Sequence, residues 1–202
     1  YAWRHLTWQF LTAVVSNKAA SFRPDQPPCE PPMNVPVLPP SPPPATAPGQ
    51  HDFDFLEGTW QVQHQRLKRR LAGCDEWEHF NGSSHLRLLM AGSANVDDGV
   101  LELPAGTYRA VTLSSFDPVS GLWAIWWLDG RHPHQLDTPM IGRFTNGVGA
   151  FYADDTFEGR PIRVRFLWTA ITAQHCHWEQ AFSTDGGLTW ETNWRMAFTR
   201  TG

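Results

Sequence analysis

The chain has 202 residues, with 20 Asp and Glu against 16 Lys and Arg, a formal net charge of −4. That balance provides no basic footprint for nucleic acid. Three cysteines (Cys29, Cys74 and Cys176) without a Cys-x-x-Cys spacing indicate neither a disulfide framework nor a structural zinc site, and fit a reducing compartment.

Tyr1 in place of Met reads as a missing or processed start. In residues 1–22, Leu6, Phe10, Leu11, Val14 and Val15 recur at helical spacing, with Trp3 near the same stripe. The apolar run is too short to span a bilayer and lacks a signal-peptide cleavage pattern. It reads as an amphipathic helix, and two placements stay open. One is docking on a partner protein or a membrane surface, with Trp3, Trp8 and Phe10 as anchors; the other is packing on its own domain. Residues 23–50 contain 12 prolines in 28 residues, which favours an extended polyproline II arm. Together, residues 1–50 are expected to contact other protein subunits.

From His51 the texture changes to alternating apolar and polar runs, separated by Gly, Asp, Asn and Pro. A short helical turn is expected at Phe53–Glu57. Strands are expected near 59–67, 75–80, 85–90, 94–102, 108–116, 122–128, 140–144, 149–153, 162–169, 175–183 and 189–200. Turn signals stand at Asn81-Gly82, Asp98-Gly99, Asp117-Pro118, Asp129-Gly130, Asn146-Gly147 and Asp185-Gly186-Gly187. So many sequential hairpins point to an all-β domain over residues 51–202, a single antiparallel up-and-down barrel. Of the eleven tryptophans, nine lie in this domain, and filling a barrel is the simplest use for them.

The stretch FDFLEGTW (residues 53–60) resembles the start of calycin barrels, the lipocalin and fatty-acid-binding superfamily. There a short helical turn leads into a Gly-x-Trp that plugs one barrel end; Gly58 and Trp60 match it. FLEGTWQVQHQRLKRRLAG, WEHFNG, GRFTNGVGAFYADDTFEGRPIRVRFLW and WEQAFSTDGGLTWETNWRMAFTR are similar to a mostly bacterial family of uncharacterised calycin-like domains. The resemblance covers nearly all of residues 51–200 and leaves the first 50 outside. It implies a fold and no settled reaction, so it carries over no catalytic residue.

Several constellations bear on chemistry. Ser183-Thr-Asp-Gly-Gly-Leu-Thr-Trp190 resembles the Asp-box hairpin of sialidase-type propellers, in which the Asp ties the turn. One good copy makes a hairpin and not a propeller. His175 and His177 share one strand face with Glu179, and His132 and His134 stand in RHPH; nothing in the sequence makes them converge on a metal or a haem. Asp154-Asp155 reads as part of a hairpin turn ending at Gly159 and not as a catalytic pair. Nucleophile, phosphate-loop, zinc-protease and dinucleotide signatures are absent, so no catalytic residue, metal or cofactor is assigned.

In a barrel one parity of each strand faces the lumen. Arg163 and Arg165 alternate with Val164, Phe166 and Trp168, and His64 and Arg66 share a parity. If the arginine parity faces inward, His64, Arg66, Arg163, Arg165, Glu179 and Asn193 form a site for a carboxylate ligand. If the apolar parity faces inward, Trp168, Trp178, Trp194, Met196 and Phe198 fill the interior. Unpaired buried charge is costly, which favours the second arrangement. Two functions follow: a non-catalytic barrel binding a small apolar or anionic ligand, or an accessory subunit attached to a larger assembly through residues 1–50.

Overall fold

The computed structural model describes residues 47–202. Trp3, Trp8, Phe10, Cys29 and nearly all of the proline arm lie outside the described residues. Ten strands form the domain: β1 (Gly58–Leu67), β2 (Trp77–Leu89), β3 (Ala94–Leu103), β4 (Gly106–Asp117), β5 (Leu122–Asp129), β6 (Met140–Thr145), β7 (Val148–Phe157), β8 (Arg160–Thr169), β9 (His175–Ser183) and β10 (Glu191–Arg200). Each pairs antiparallel with its neighbour in sequence, and β10 returns to pair with β1, closing an up-and-down barrel. Among the described residues, no helix is long and apolar enough to cross a membrane.

Two expected turns lie inside strands. Asn81-Gly82 is continuous β2, so the runs at 75–80 and 85–90 are one strand. Gly82 pairs with Val62 on one side and Leu101 on the other. A Cβ there would sit 2.7 Å from His64 Nε2 and collide with the Val100 carbonyl; close packing, and not a turn, requires this glycine. Asp98-Gly99 likewise lies within β3. Asp154 and Asp155 belong to β7, whose turn to β8 comes later, at Glu158-Gly159.

The barrel's closed end is built as the Gly-x-Trp pattern implies. A 3-10 turn at Asp54–Leu56 sends Phe53 and Leu56 into the core, and Trp60 is fully buried, donating from Nε1 to the Leu56 carbonyl at 2.9 Å. The Arg200 guanidinium lies 4.2 Å from the Trp60 ring centroid and donates to the carbonyls of Glu57, Phe55 and Ala173. Gly58 has φ +111°, and a Cβ there would lie 2.7 Å from both Arg200 Nη1 and the Gly202 carbonyl. Ala47–Gln50, read from sequence as the end of the arm, belong to this floor: Trp123 Nε1 donates to the Gly49 carbonyl at 2.9 Å, and Ala47 packs on the core.

The Asp-box hairpin is structural. Asp185 accepts from Ser183 Oγ, from Thr189 Oγ1 and from the backbone N–H groups of Leu188 and Thr189, while Gly186 (φ 72°) and Gly187 (φ 101°) take the left-handed conformation. These hydrogen bonds to the ionised form, led by the Thr189 hydroxyl, hold the Asp185 carboxyl well below its ordinary range.

Candidate functional site

Parity decides what the lumen contains. Trp60, Val62, His64 and Arg66 point inward from β1, and register carries that face around the barrel. Val164, Phe166 and Trp168 therefore face in from β8, Trp178 from β9, and Trp194, Met196 and Phe198 from β10. Arg163, Arg165 and Glu179 face out. Arg165 Nη2 pairs with Glu179 Oε1 at 3.3 Å and lies over Trp190; Arg163 stands 3.9 Å from Asp154 and over Tyr152. Of the six residues of the conditional carboxylate site, His64 and Arg66 line the lumen, while Arg163, Arg165 and Glu179 occupy the outer wall, where their charge stays in contact with water. Asn193 is buried at the β9–β10 bulge, accepts from Gln180 Nε2 at 2.8 Å, and positions a lumen residue without lining a cavity itself.

The lumen is two adjoining cavities. The inner one, about 90 Å³ above the closed end, is lined by Leu56, Val62, His64, Trp168, Phe198 and their neighbours. The outer one, about 240 Å³, is lined by Arg66, Arg70, Tyr108, Arg131, Phe157 and others. Ile125, Trp127, Phe166 and Trp178 line both. At this waist a chain of edge-to-face rings runs from Phe166 to Trp178, Trp194 and Trp127, with centroids 4.7, 5.8 and 5.8 Å apart. Such rings are rigid and supply large apolar contact area.

His64 sits buried beside the waist, stacked on Phe80 at 4.5 Å, and its Nδ1 accepts from Trp194 Nε1 at 3.2 Å. Desolvation, then the neighbouring Arg66 charge, pushes its pKa down to about 4, so the ring is neutral at pH 7. Arg66 pairs with Glu78 at 3.0 Å and lies 5.5 Å from the Phe80 and Trp194 centroids. Arg131 pairs with Asp129 at 2.6 Å and covers the Tyr108 ring at 3.8 Å. Arg70 differs from both. It stands over Phe157 and Phe182 at 5.9 Å and has neither an ion pair nor a hydrogen bond among the described residues. Burial, then Arg66, lowers its pKa. Asp137 and Asp155 also line the outer cavity, and desolvation, followed by Asp155 and Asp129, raises the Asp137 pKa.

A second polar group was not anticipated from sequence. β3 turns Asn95, Asp97 and Gly99 inward ahead of Leu101, and β4 turns Thr112 and Ser114 inward between Ala110 and Phe116, while Val96 on β3 and Val111 and Leu113 on β4 face out. Asp97 Oδ1 accepts from Ser84 Oγ at 2.6 Å, and burial raises the Asp97 pKa despite that bond. Asn95 is 1 % exposed, and among the described residues its Nδ2 has no hydrogen-bond partner; neither has Trp168 Nε1.

The histidine pair expected to be a weak metal candidate does not gather ligands. His175 and His177 face outward, and among the described residues no three His, Cys, Asp or Glu side chains converge as a metal site would require. Cys176 between them is fully buried, its thiol pushed up to about 12 by burial.

Neither a family model nor a curated protein matches the chain. Among solved structures it is similar to an S-type phycobiliprotein lyase from Guillardia theta, with a TM-score of 0.52 and 11% identity over 74% of this chain and 90% of that one. The domain is a calycin-like barrel. At that identity the likeness fixes the fold alone, and the chemistry of this calycin-like barrel has to be read from its own lumen.

Proposed function

We propose that the calycin-like barrel is a non-catalytic binding protein for a small, largely apolar ligand that carries an anionic group. Arg70 is the observation that carries this reading. Among the described residues its guanidinium has no ion pair and no hydrogen bond, and it lines the outer cavity, so it is available there to an anion. A ligand carboxylate at the mouth would pair with it in a charge-assisted geometry, with Arg66 adjacent. The aromatic waist and inner cavity would take the apolar body. A concave, mostly apolar pocket with a few convergent polar groups is the usual form of such a site. Asp137 and Asp155 line the same cavity, and Arg70 stands over Phe157, two residues from Asp155 on β7, so the anion is expected between Arg70 and Arg66.

The test is titration of the purified chain with a fluorescent fatty acid and with its methyl ester. The acid is expected to bind in the micromolar range, and Arg70→Ala to weaken the acid at least tenfold while changing the ester little. Absence of binding by either probe, or equal loss of both in Arg70→Ala, would overturn the proposal.

A further inference from the structure

We infer that the inner cavity selects a ligand whose buried end carries a neutral group that both donates and accepts hydrogen bonds, of the carboxamide or lactam kind, held by Asp97 and Asn95. This rests on the lumen-binding reading above and adds the chemistry of the end that enters first.

The strand patterning comes first. A strand that buries one face normally places its apolar residues there and its polar residues in water. β3 and β4, adjacent in the sheet, keep that pattern at Leu101, Ala110 and Phe116 but depart from it where Asn95 pairs with Ser114 and Asp97 with Thr112. Leu113 is 43% exposed on the outer wall, while Ser114, its neighbour in sequence, is 2% exposed on the lumen side. A one-residue shift would put Leu101 outside and Glu102 inside on β3, and Ala110 and Phe116 outside with Arg109 and Asp117 inside on β4, so the apolar residues fix the register. That register turns positions 95, 97, 112 and 114 to one wall of the inner cavity, but it does not require the residues there to be polar. Polar residues that break the local pattern without a compensating contact mark a functional site.

The hydrogen-bond inventory then specifies the guest. Asn95 Nδ2 and Trp168 Nε1 are buried donors without partners among the described residues, and both residues line the inner cavity. They call for an acceptor. Asp97 accepts from Ser84 Oγ and faces the His85 backbone N–H, and as a carboxylate lining the cavity it has room for a further donor. A hydrocarbon terminus would leave the Asn95 and Trp168 donors unpaired, each at the cost of a desolvated polar group. A carboxylate would satisfy the donors but set a second negative charge against Asp97. An ammonium would satisfy Asp97 and leave the donors unmet. A neutral N–H beside a C=O answers both demands at once.

The experiment compares dodecanoic acid with the same acid bearing a terminal carboxamide at carbon 12, using tryptophan fluorescence of the full chain at pH 7. In a purely apolar lumen the amide would bind far more weakly, because burying it without partners is costly. The expected result is the opposite order, with the amide-terminated acid about tenfold tighter. Asn95→Val with Asp97→Val is expected to reverse that order while leaving the plain acid bound at least as tightly; thermal melting confirms that the variant is folded, and the wild-type order stands as the test if it is not. Equal or tighter binding of the plain acid by the wild type would overturn the inference and leave the lumen reading intact. Failure of both acids to bind would overturn both. An unchanged order in a folded double variant would remove Asn95 and Asp97 from the site.

Discussion

Replacing His64 with Gln probes whether the lumen is as dry as its lining implies. The imidazole ordinarily titrates at 6.5 and is lowered to about 4 in the folded barrel, by burial first and by Arg66 second. Because the folded-state value is depressed, the unfolded chain binds this proton more readily between those limits. Stability therefore falls as pH drops from about 6.5 to about 4, and below that the contribution is fully lost. The whole interval corresponds to about 3 kcal/mol, and stepping from pH 7 to pH 4.5 takes away about 2 kcal/mol of it. Asp97 acts in the other direction, since its raised carboxyl contributes stability that is lost as pH rises through its folded value. A His64→Gln variant keeps an acceptor for the Trp194 indole and leaves Asp97 in place, so the difference between the two pH profiles isolates His64. Urea denaturation at pH 7 and pH 4.5 measures it. Wild type is expected to lose about 2 kcal/mol more than the variant over that step. Parallel profiles would show that His64 is solvated, and with it the inner lumen.

Trp60→Ala removes a fully buried ring from the closed end and is expected to cost about 3–5 kcal/mol, read as a lowered urea midpoint; an unchanged midpoint would mean the end is not closed by this residue. Asp185→Ala deletes the acceptor that four donors share in the β9–β10 turn, so the denaturation midpoint should drop while fluorescent fatty-acid binding persists; loss of binding at full stability would make the hairpin part of the site. Of the two cysteines within the barrel, Cys74 should alkylate in the native state and Cys176, buried with its thiol pushed up to about 12, only on unfolding; peptide mapping after iodoacetamide decides this.

Much of the fold was legible because the barrel is made of local pieces. Alternation located nine of the ten strands to within a few residues, and the Asp185-Gly186-Gly187 and Asn146-Gly147 turns are where their backbone preferences put them. The misreading at Asn81-Gly82 has a tertiary cause: the dipeptide has turn chemistry, but Gly82 is there to make room for a histidine from the next strand. The site was less legible because a single strand does not declare which parity is inside. His64, Arg66, Arg163, Arg165, Glu179 and Asn193 were offered together under one parity, but the register puts His64 and Arg66 on the lumen side of the wall. Arg163, Arg165 and Glu179 were offered as lumen residues only under the parity that the register excludes. Asn95 and Asp97 escaped notice because ANVDDGV looks like a solvated strand end with a turn in it; the inward face becomes visible only when Leu101 and Leu86 fix the register on either side. Arg70 lies in KRR, a charge run that in isolation reads as solvated surface.

Closure of the barrel through β1 and β10 has a consequence for the order of events during synthesis. β1 finds β2 almost at once, but its other edge pairs with Trp194–Arg200, which are made about 130 residues later. At about 5–20 residues per second, that edge waits roughly 7–25 s on the ribosome with its backbone N–H and C=O groups unclaimed. Such an edge invites strand addition by a neighbouring nascent chain. The outward residues of β1 are Thr59, Gln61, Gln63 and Gln65, and Lys68-Arg69-Arg70 follow directly. A polar wall ending in three positive charges repels an identical edge, so the segment that must stay open longest is also the one least able to pair with a copy of itself.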